Sequence, residues 1–240
     1  GALTERRRGV LIMKFLTIMD VETTGTDPTK DRVVEIGAVL WSIDHASVMA
    51  AFSTVIAGEG NAAEAVNAIP SAMVPHGTSA DRAWKMISGW ADKSVAICGH
   101  NVHDFDRLFV PAGWDHGRPW LCTMTDIEWP KASASKSLVS IALAHGLGVT
   151  QTHRALTDCM LVARLFERCH ELGADVPAMI DRGLRPAAIF MVANRDFSET
   201  RNALAKDHGF SFHKETKTWR RRVALDDALM FPFEIREVAA

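Results

Sequence analysis

Apolar and polar positions follow a two-residue rhythm early in the chain and a helical one later. The run Phe15-Leu16-Thr17-Ile18-Met19 ends at Asp20 and predicts a first strand over 15–20. Val33, Val34, Ile36 and Val39 predict a second strand over 32–41, and an apolar stretch over 48–56 a third. Asp27-Pro28 breaks the chain after the first strand, and the short link 42–46 suits an antiparallel hairpin. An Ala-rich stretch over 61–74 predicts a helix as far as Pro70, and Trp84, Ile87 and Trp90 a helix over 80–93. Short buried strands are expected at 95–98 and 120–122, and a helix at 102–110 stopped by Pro111. Ser137 caps a helix over 137–145. The most periodic segment is 154–172, with Leu156, Met160, Val162, Ala163, Leu165 and Phe166 on one side.

Strands first, then strands alternating with helices, predict an α/β domain: a mixed five-stranded sheet flanked by helices, over 13–173. Prolines at 177 and 186 mark 174–187 as a linker, and residues 1–12 read as a flexible arm or an expression remnant. A small α+β accessory module is expected over 188–240: a strand at 188–193, a helix at 198–208, an aromatic and basic hairpin at 210–223 and a last strand at 230–238.

The composition is globular, with 48% hydrophobic and 23% charged residues. No run of eighteen apolar residues predicts a membrane span. The formal net charge is -2, so contact with nucleic acid needs a local basic patch. Residues 195–222 supply one, with eight Lys or Arg against four Asp or Glu. In a strand, Lys217, Trp219 and Arg221 share one face, while Arg220 and Arg222 share the other. Cys98, Cys122, Cys159 and Cys169 show neither zinc-type nor secretory spacing, and no signal peptide is evident, so a cytoplasmic location is expected.

Three segments carry candidate chemistry. Asp20 and Glu22 sit two apart at a strand end, so both point to one face, where a divalent cation would relieve their repulsion. The second segment is His100-Asn101-Val102-His103-Asp104-Phe105-Asp106, after a short strand. The third is His153-Arg154-Ala155-Leu156-Thr157-Asp158, where a histidine precedes a helix and an aspartate lies in its first turn. Each alone is a weak signal. Together they deliver carboxylates to the ends of three elements, where side chains converge.

In order and spacing, this set resembles the DEDDh family of 3′→5′ exonucleases, to which the epsilon proofreading subunit, oligoribonuclease and exonuclease X belong. The resemblance rests on Asp20-Val21-Glu22-Thr23-Thr24-Gly25, on His100-Asn101 with Phe105-Asp106, and on His153 followed five residues later by Asp158. Trp120-Leu121-Cys122-Thr123-Met124 and the 153–159 segment look most like exonuclease X.

The family implies a ribonuclease H-like fold and two Mg²⁺ or Mn²⁺ ions held by Asp20, Glu22, Asp106 and Asp158. Asp20 would bridge both ions, Glu22 and Asp158 would complete the first site, and Asp106 would serve the second. His153 would be the general base. Thr23, Thr24 and Asn101 would bind the terminal nucleotide, with the two threonines offering backbone and hydroxyl donors. Three residues separate His-Asn from Phe-Asp where the family usually has two, which makes Asp104 a rival ligand. On a helix the two aspartates lie roughly 200° apart, so only one can face the metals. Keeping the family's register around Phe105-Asp106-Arg107-Leu108-Phe109 favours Asp106.

The implied activity is metal-dependent release of nucleoside 5′-monophosphates from single-stranded or 3′-end nucleic acid. DNA is favoured by the exonuclease X likeness, and RNA stays open. The competing reading is a nucleic-acid-binding or polymerase-associated subunit with vestigial catalysis. His100 reads as structural, bonding the backbone near Asn101, and the tryptophans and cysteines as packing.

Overall fold

The computed structural model describes residues 14–150, 153–193 and 198–238; the arm at 1–12 and the charges at Arg195 and Asp196 lie outside these. The chain divides into two compact units, one ending at Ile180 and the other starting at Asp181.

In the first unit, β1 (Phe15–Thr23), β2 (Val33–Ser42) and β3 (Ser47–Val55) form an antiparallel meander. A short helix α1 (Glu64–Asn67), a 3₁₀ turn (Val74–His76) and α2 (Ala80–Lys93) lead to β4 (Ala96–Gly99). There follow α3 (Asp106–Phe109), β5 (Trp120–Cys122), α4 (Leu138–Ala144), α5 (Ala155–Glu171) and the first part of α6 (Val176–Gly183), which runs past the unit boundary. The five strands form one mixed sheet in the order β3-β2-β1-β4-β5, with β4 and β5 parallel to β1. A parallel neighbour for β1 requires a crossover, and α2 provides it.

The sheet is covered on both faces. Met19, Val21, Ile36 and Ile97 pack with Trp84 and Ile87 of α2. On the other face lie Leu16, Ile18, Val39 and Trp41, all fully buried, with the Trp41 ring 5.3 Å from that of Phe166 in α5. Ser137 accepts a hydrogen bond from the Ser140 N–H, the expected cap of α4.

Four segments differ from expectation. The helix foreseen over 61–74 shrinks to α1 and a 3₁₀ turn. Asn61 and Asn67 accept backbone N–H groups of Ala63 and Ile69 with their side chains and compete with helical bonding. The helix at 102–110 begins only at Asp106. The segment 174–187, read as a linker, contains α6, whose Val176, Met179 and Ile180 are buried at helical spacing. Pro177 starts that helix rather than breaking it, because a first-turn residue needs no intrahelical N–H bond. The last strand covers only Ile235–Glu237 and follows a 3₁₀ turn at Leu225–Met230.

The second unit holds β6 (Ala187–Val192), α7 (Glu199–Asp207), β7 (Ser211–His213), β8 (Thr218–Ala224) and β9 (Ile235–Glu237). These strands form an antiparallel sheet in the order β7-β8-β6-β9. Phe190, Phe210, Val223 and Ala205 of α7 are its buried apolar centre. Among the described residues no helix is long and apolar enough to cross a membrane.

Candidate active site

The face of the first sheet that meets α5 changes character along β1. In the antiparallel register Leu16 faces Trp41 and Ile18 faces Val39, then Asp20 faces Gly37 and Glu22 faces Glu35. Alternation puts all eight on one face, so an apolar half runs into a carboxylate half. Gly37 lets α5 approach: a Cβ there would lie 2.3 Å from the Ala155 carbonyl carbon and the Leu156 nitrogen. The first turn of α5 is thereby set against the acidic half. Ligand oxygens of Asp20, Glu22 and Asp158 all lie within 4.8 Å of one another.

Asp106 contributes none of the ligand oxygens within 4.8 Å of one another, but its charge is felt at Asp20 and Glu22. It is 1% exposed, and its Oδ1 accepts the Val21 N–H at 2.9 Å. Asp104 is exposed. Asn101 adopts a left-handed φ of 65°, and its carbonyl accepts the N–H groups of Asp104 and Phe105. Asparagine enters this conformation at little cost, and the resulting turn connects His100-Asn101 to Phe105-Asp106. Asn101 thus sits half-buried in the turn that carries Asp106.

His153 lies just before α5, exposed, with a left-handed φ of 59°. Asp158 Oδ2 accepts its backbone N–H at 3.1 Å, which ties the histidine to a carboxylate of the cluster. The next residue, Arg154, grips Glu35 with two bonds, Nε at 3.0 Å and Nη2 at 2.7 Å. Glu35 is 1% exposed and also accepts from the Ala155 N–H and the Ser53 hydroxyl. This pair clamps the start of α5 to β2. Neither residue was foreseen as part of the site. The available signal was a carboxylate within the apolar run Val33-Val34-Glu35-Ile36, since buried acids need partners.

Thr23 and Thr24, expected to offer hydroxyl donors to a nucleotide, use them locally. Thr23 donates to the Gly25 carbonyl at 2.5 Å and Thr24 to Asp31 at 2.9 Å. The Thr24 N–H is bonded to the Arg32 carbonyl at 3.0 Å. Both residues shape the turn after β1, and buried Asn67, also unforeseen, donates to the Thr23 carbonyl at 3.3 Å. His100 bonds the Thr123 hydroxyl at 2.9 Å, not the backbone near Asn101, and burial lowers its pKa to about 4. Cys98, Cys122, Cys159 and Cys169 are buried free thiols.

The electrostatics follow from crowding acids where water is scarce. Burial raises Asp20 well above the usual carboxylate range, and Asp106, Glu22, Asp158 and Glu35 push it further. Burial, then Asp158, Glu35 and Asp106, raises Glu22 to about 7, with Arg154 opposing. Burial also lifts Asp106 to about 7 against the Val21 N–H bond. Asp158 is raised by burial, opposed by the His153 N–H and by His153 itself. An all-oxygen donor set of this kind suits a hard divalent cation, whose charge would return the carboxylates to their ionised form.

Residues 17–166 match the RNase_T exonuclease family. The chain belongs to that family. It is 29% identical over 163 residues to a PolC-type DNA polymerase III of Thermotoga petrophila, a match covering 65% of this chain but 12% of that protein. It is 28% identical over 161 residues to the DNA polymerase III subunit epsilon of Treponema pallidum, covering 62% of this chain and 74% of the relative. Among solved structures, exonuclease X in complex with 5′ overhanging duplex DNA aligns with a TM-score of 0.55 at 25% identity, over 70% of this chain and 99% of that one. Escherichia coli exonuclease I in complex with a dT13 oligonucleotide aligns with a TM-score of 0.56 at 17% identity, over 80% of this chain and 50% of that one. The latter likeness concerns the fold. The five-stranded mixed sheet with flanking helices is therefore the ribonuclease H-like exonuclease fold, and the acidic cluster lies within the matched residues.

Proposed function

We propose that the chain is a metal-dependent exonuclease that hydrolyses DNA from the 3′ end and releases nucleoside 5′-monophosphates. The observation that carries this reading is the convergence of Asp20, Glu22 and Asp158 within 4.8 Å, with His153 tied by its N–H to Asp158. Asp20, Glu22, Asp106 and Asp158 would hold two Mg²⁺ or Mn²⁺ ions. Bound there, the ions would stabilise charge on the attacking and leaving oxygens of the phosphodiester.

The protein's own residues supply the remainder. A ring nitrogen of His153, exposed beside the cluster, takes the proton of the attacking water as its oxygen bonds to phosphorus. The bond to the 3′-oxygen of the penultimate nucleotide breaks, leaving a 3′-hydroxyl on the shortened strand and a 5′-phosphate on the released nucleotide. The Arg154–Glu35 pair holds the backbone next to His153, so the base does not have to be ordered at each turnover. Asn101, Thr23 and Thr24 frame the floor under the terminal nucleotide through the turns they form. Unpaired buried cysteines suit a reducing compartment, the cytoplasm.

The test uses a single-stranded oligonucleotide labelled at its 5′ end, with Mg²⁺ or Mn²⁺ and with EDTA. The reading requires a ladder shortening from the 3′ end that chelator abolishes. Chelator-resistant cleavage, or none with any divalent ion, would overturn it. Competition with an RNA of the same sequence measures the preference for DNA. The similarity to a polymerase III epsilon subunit favours a second reading, a polymerase-associated proofreading subunit with weak catalysis. Calorimetric titration with Mn²⁺ separates the two: a vestigial site lacks the paired divalent-ion binding.

A further inference from the structure

The strand register of the second unit sorts its arginines by face. Trp219, Arg221 and Val223 of β8 lie on the side of Phe190 and α7. Trp219 donates to Asn202 of α7 at 2.8 Å, and Arg221 donates to the His208 carbonyl at 2.7 Å with its guanidinium 5.7 Å from the Phe231 ring centroid. Arg221 is thus part of the packing, not of a free surface. The opposite face carries Arg220 and Arg222 of β8, Ile189 and Met191 of β6 and Arg236 of β9. The contacts of α7 with β8 given above lie on the other face, and of this face's residues Ile189 and Arg236 are exposed while Arg220, Arg222 and Met191 are half-buried. Ser211, Arg220, Met191 and Arg236 form one row across all four strands, and Arg222 pairs with Ile189 in the row two residues along.

Side chains directly opposite one another across such a sheet stand about 4.5–5.5 Å apart, so the row presents guanidinium groups on either side of an aliphatic side chain. Arg220 Nε donates to the Thr218 hydroxyl at 3.0 Å, Arg222 Nη1 donates to the Ala187 carbonyl at 3.5 Å, and Arg236 pairs with Glu234 at 3.0 Å. The Arg236–Glu234 pair is exposed on both sides, and such pairs contribute little, so a phosphate can replace the carboxylate. Ile189 is 38% exposed among these cations.

We propose that this face binds single-stranded DNA, the arginines holding phosphates and stacking on bases while Ile189 and Met191 contact unpaired bases. A duplex hides its bases from a flat sheet, and the apolar side chains between the arginines would then gain nothing. The positive charge matches a polyanion, and guanidinium planes stack on bases as well as pairing with phosphates. The proposal rests on the reading of the first unit as a DNA exonuclease.

The experiment measures binding of a fluorescent oligo(dT) to the full chain in EDTA, at several salt concentrations. Arg220→Gln, Arg222→Gln and Arg236→Gln are combined in one variant, and the corresponding lysine substitutions in another. Each phosphate contact contributes roughly 0.7 to the salt slope of single-strand binding, so the Gln variant should lose about 2 in slope and bind on the order of tenfold more weakly at low salt. The Lys variant should keep its slope. With Mg²⁺, the Gln variant should show a raised KM and an unchanged kcat. Ile189→Glu, which keeps every arginine, should also weaken binding and covers the case in which the triple variant does not fold. Unchanged affinity and slope in the Gln variant or, if it does not fold, unchanged affinity in Ile189→Glu would overturn the proposal and leave the face to an acidic protein. Equal losses on a duplex of the same length would overturn the single-strand claim. Failure of the exonuclease reading is seen separately, as absent metal-dependent cleavage, since these binding measurements contain no metal.

Discussion

Two clusters of like charge lie on sheet faces in this protein, and their surroundings make them different objects. On β1 and β2, Asp20, Glu22 and Glu35 share a face that α5 covers, and Asp106 and Asp158 join them. On β8 and β9, Arg220, Arg222 and Arg236 share the face opposite the one that α7 contacts through Trp219. Burial and mutual repulsion push Asp20, Glu22, Asp106 and Asp158 toward the protonated form, while Glu35 is held by Arg154. The arginines are half-buried to exposed and bonded only to neutral oxygens or to an exposed carboxylate in the bonds given above, and charges at such a surface are screened over about 10 Å at 0.1 M salt. On the two readings proposed above, substitutions should act on catalysis in the first cluster and on salt-dependent binding in the second.

The sharpest break is expected at the covered cluster. Asp20→Asn or Asp106→Asn should lower the rate by more than the roughly 10²–10³-fold typical of losing one transition-state-stabilising donor. Asp104→Asn, at an exposed neighbouring position, should change it by about twofold at most. A rate measurement on the three variants that reversed this order would make Asp104 the ligand. Next comes His153→Ala, expected to cost on the order of 10²–10⁴-fold as the loss of a general base. Mn²⁺ binding should persist in this variant. A near-parental rate in His153→Ala would remove His153 from the role.

Smaller effects should follow from loosening the clamp. Arg154→Ala leaves Glu35 buried without its guanidinium and frees the backbone beside His153. A displacement of about 1 Å can cost on the order of 10²-fold, and the loss should appear in kcat with KM little changed. A variant with full kcat would show that the pair serves stability alone.

This clamp also marks where the sequence ceases to be legible. The strands of the first unit are visible as β-branched runs, α2 and α5 as helical periods, and Asp20, Glu22, Asp106 and Asp158 as acids at the ends of those elements. Glu35 is visible only as an acid inside an apolar strand. That it meets an arginine 119 positions later depends on the β1–β2 register and on the close approach allowed at Gly37. Thr23 and Thr24 show the opposite limit. Their residue types suit ligand binding, but Asp31 and the Gly25 carbonyl reach their hydroxyls first. In α6, Pro177 resembles a boundary because its residue type is legible and its place in a first turn is not.

The smallest expected effect is on stability, and it tests the charge state of the covered cluster without any catalysis. Glu22 rises from its ordinary 4.5 to about 7 on folding, and Asp106 from 3.8 to about 7. Between the unfolded and folded values the native state holds more protons than the unfolded chain, so the unfolding free energy falls as pH rises. The stabilisation from these groups is complete below about pH 4 and is lost as the pH passes about 7. In EDTA, the melting temperature at pH 8 should lie below that at pH 6, and Asp106→Asn should flatten the difference by removing one of the acids. Excess Mg²⁺ should raise the pH 8 value more than the pH 6 value, because the cation favours the ionised form that crowding disfavours. Thermal scans at the two pH values, with and without Mg²⁺, make the check. A melting temperature that rose from pH 6 to pH 8 in EDTA would mean that the carboxylates are ionised and already satisfied, and that the contrast between the covered acids and the arginines does not originate in burial.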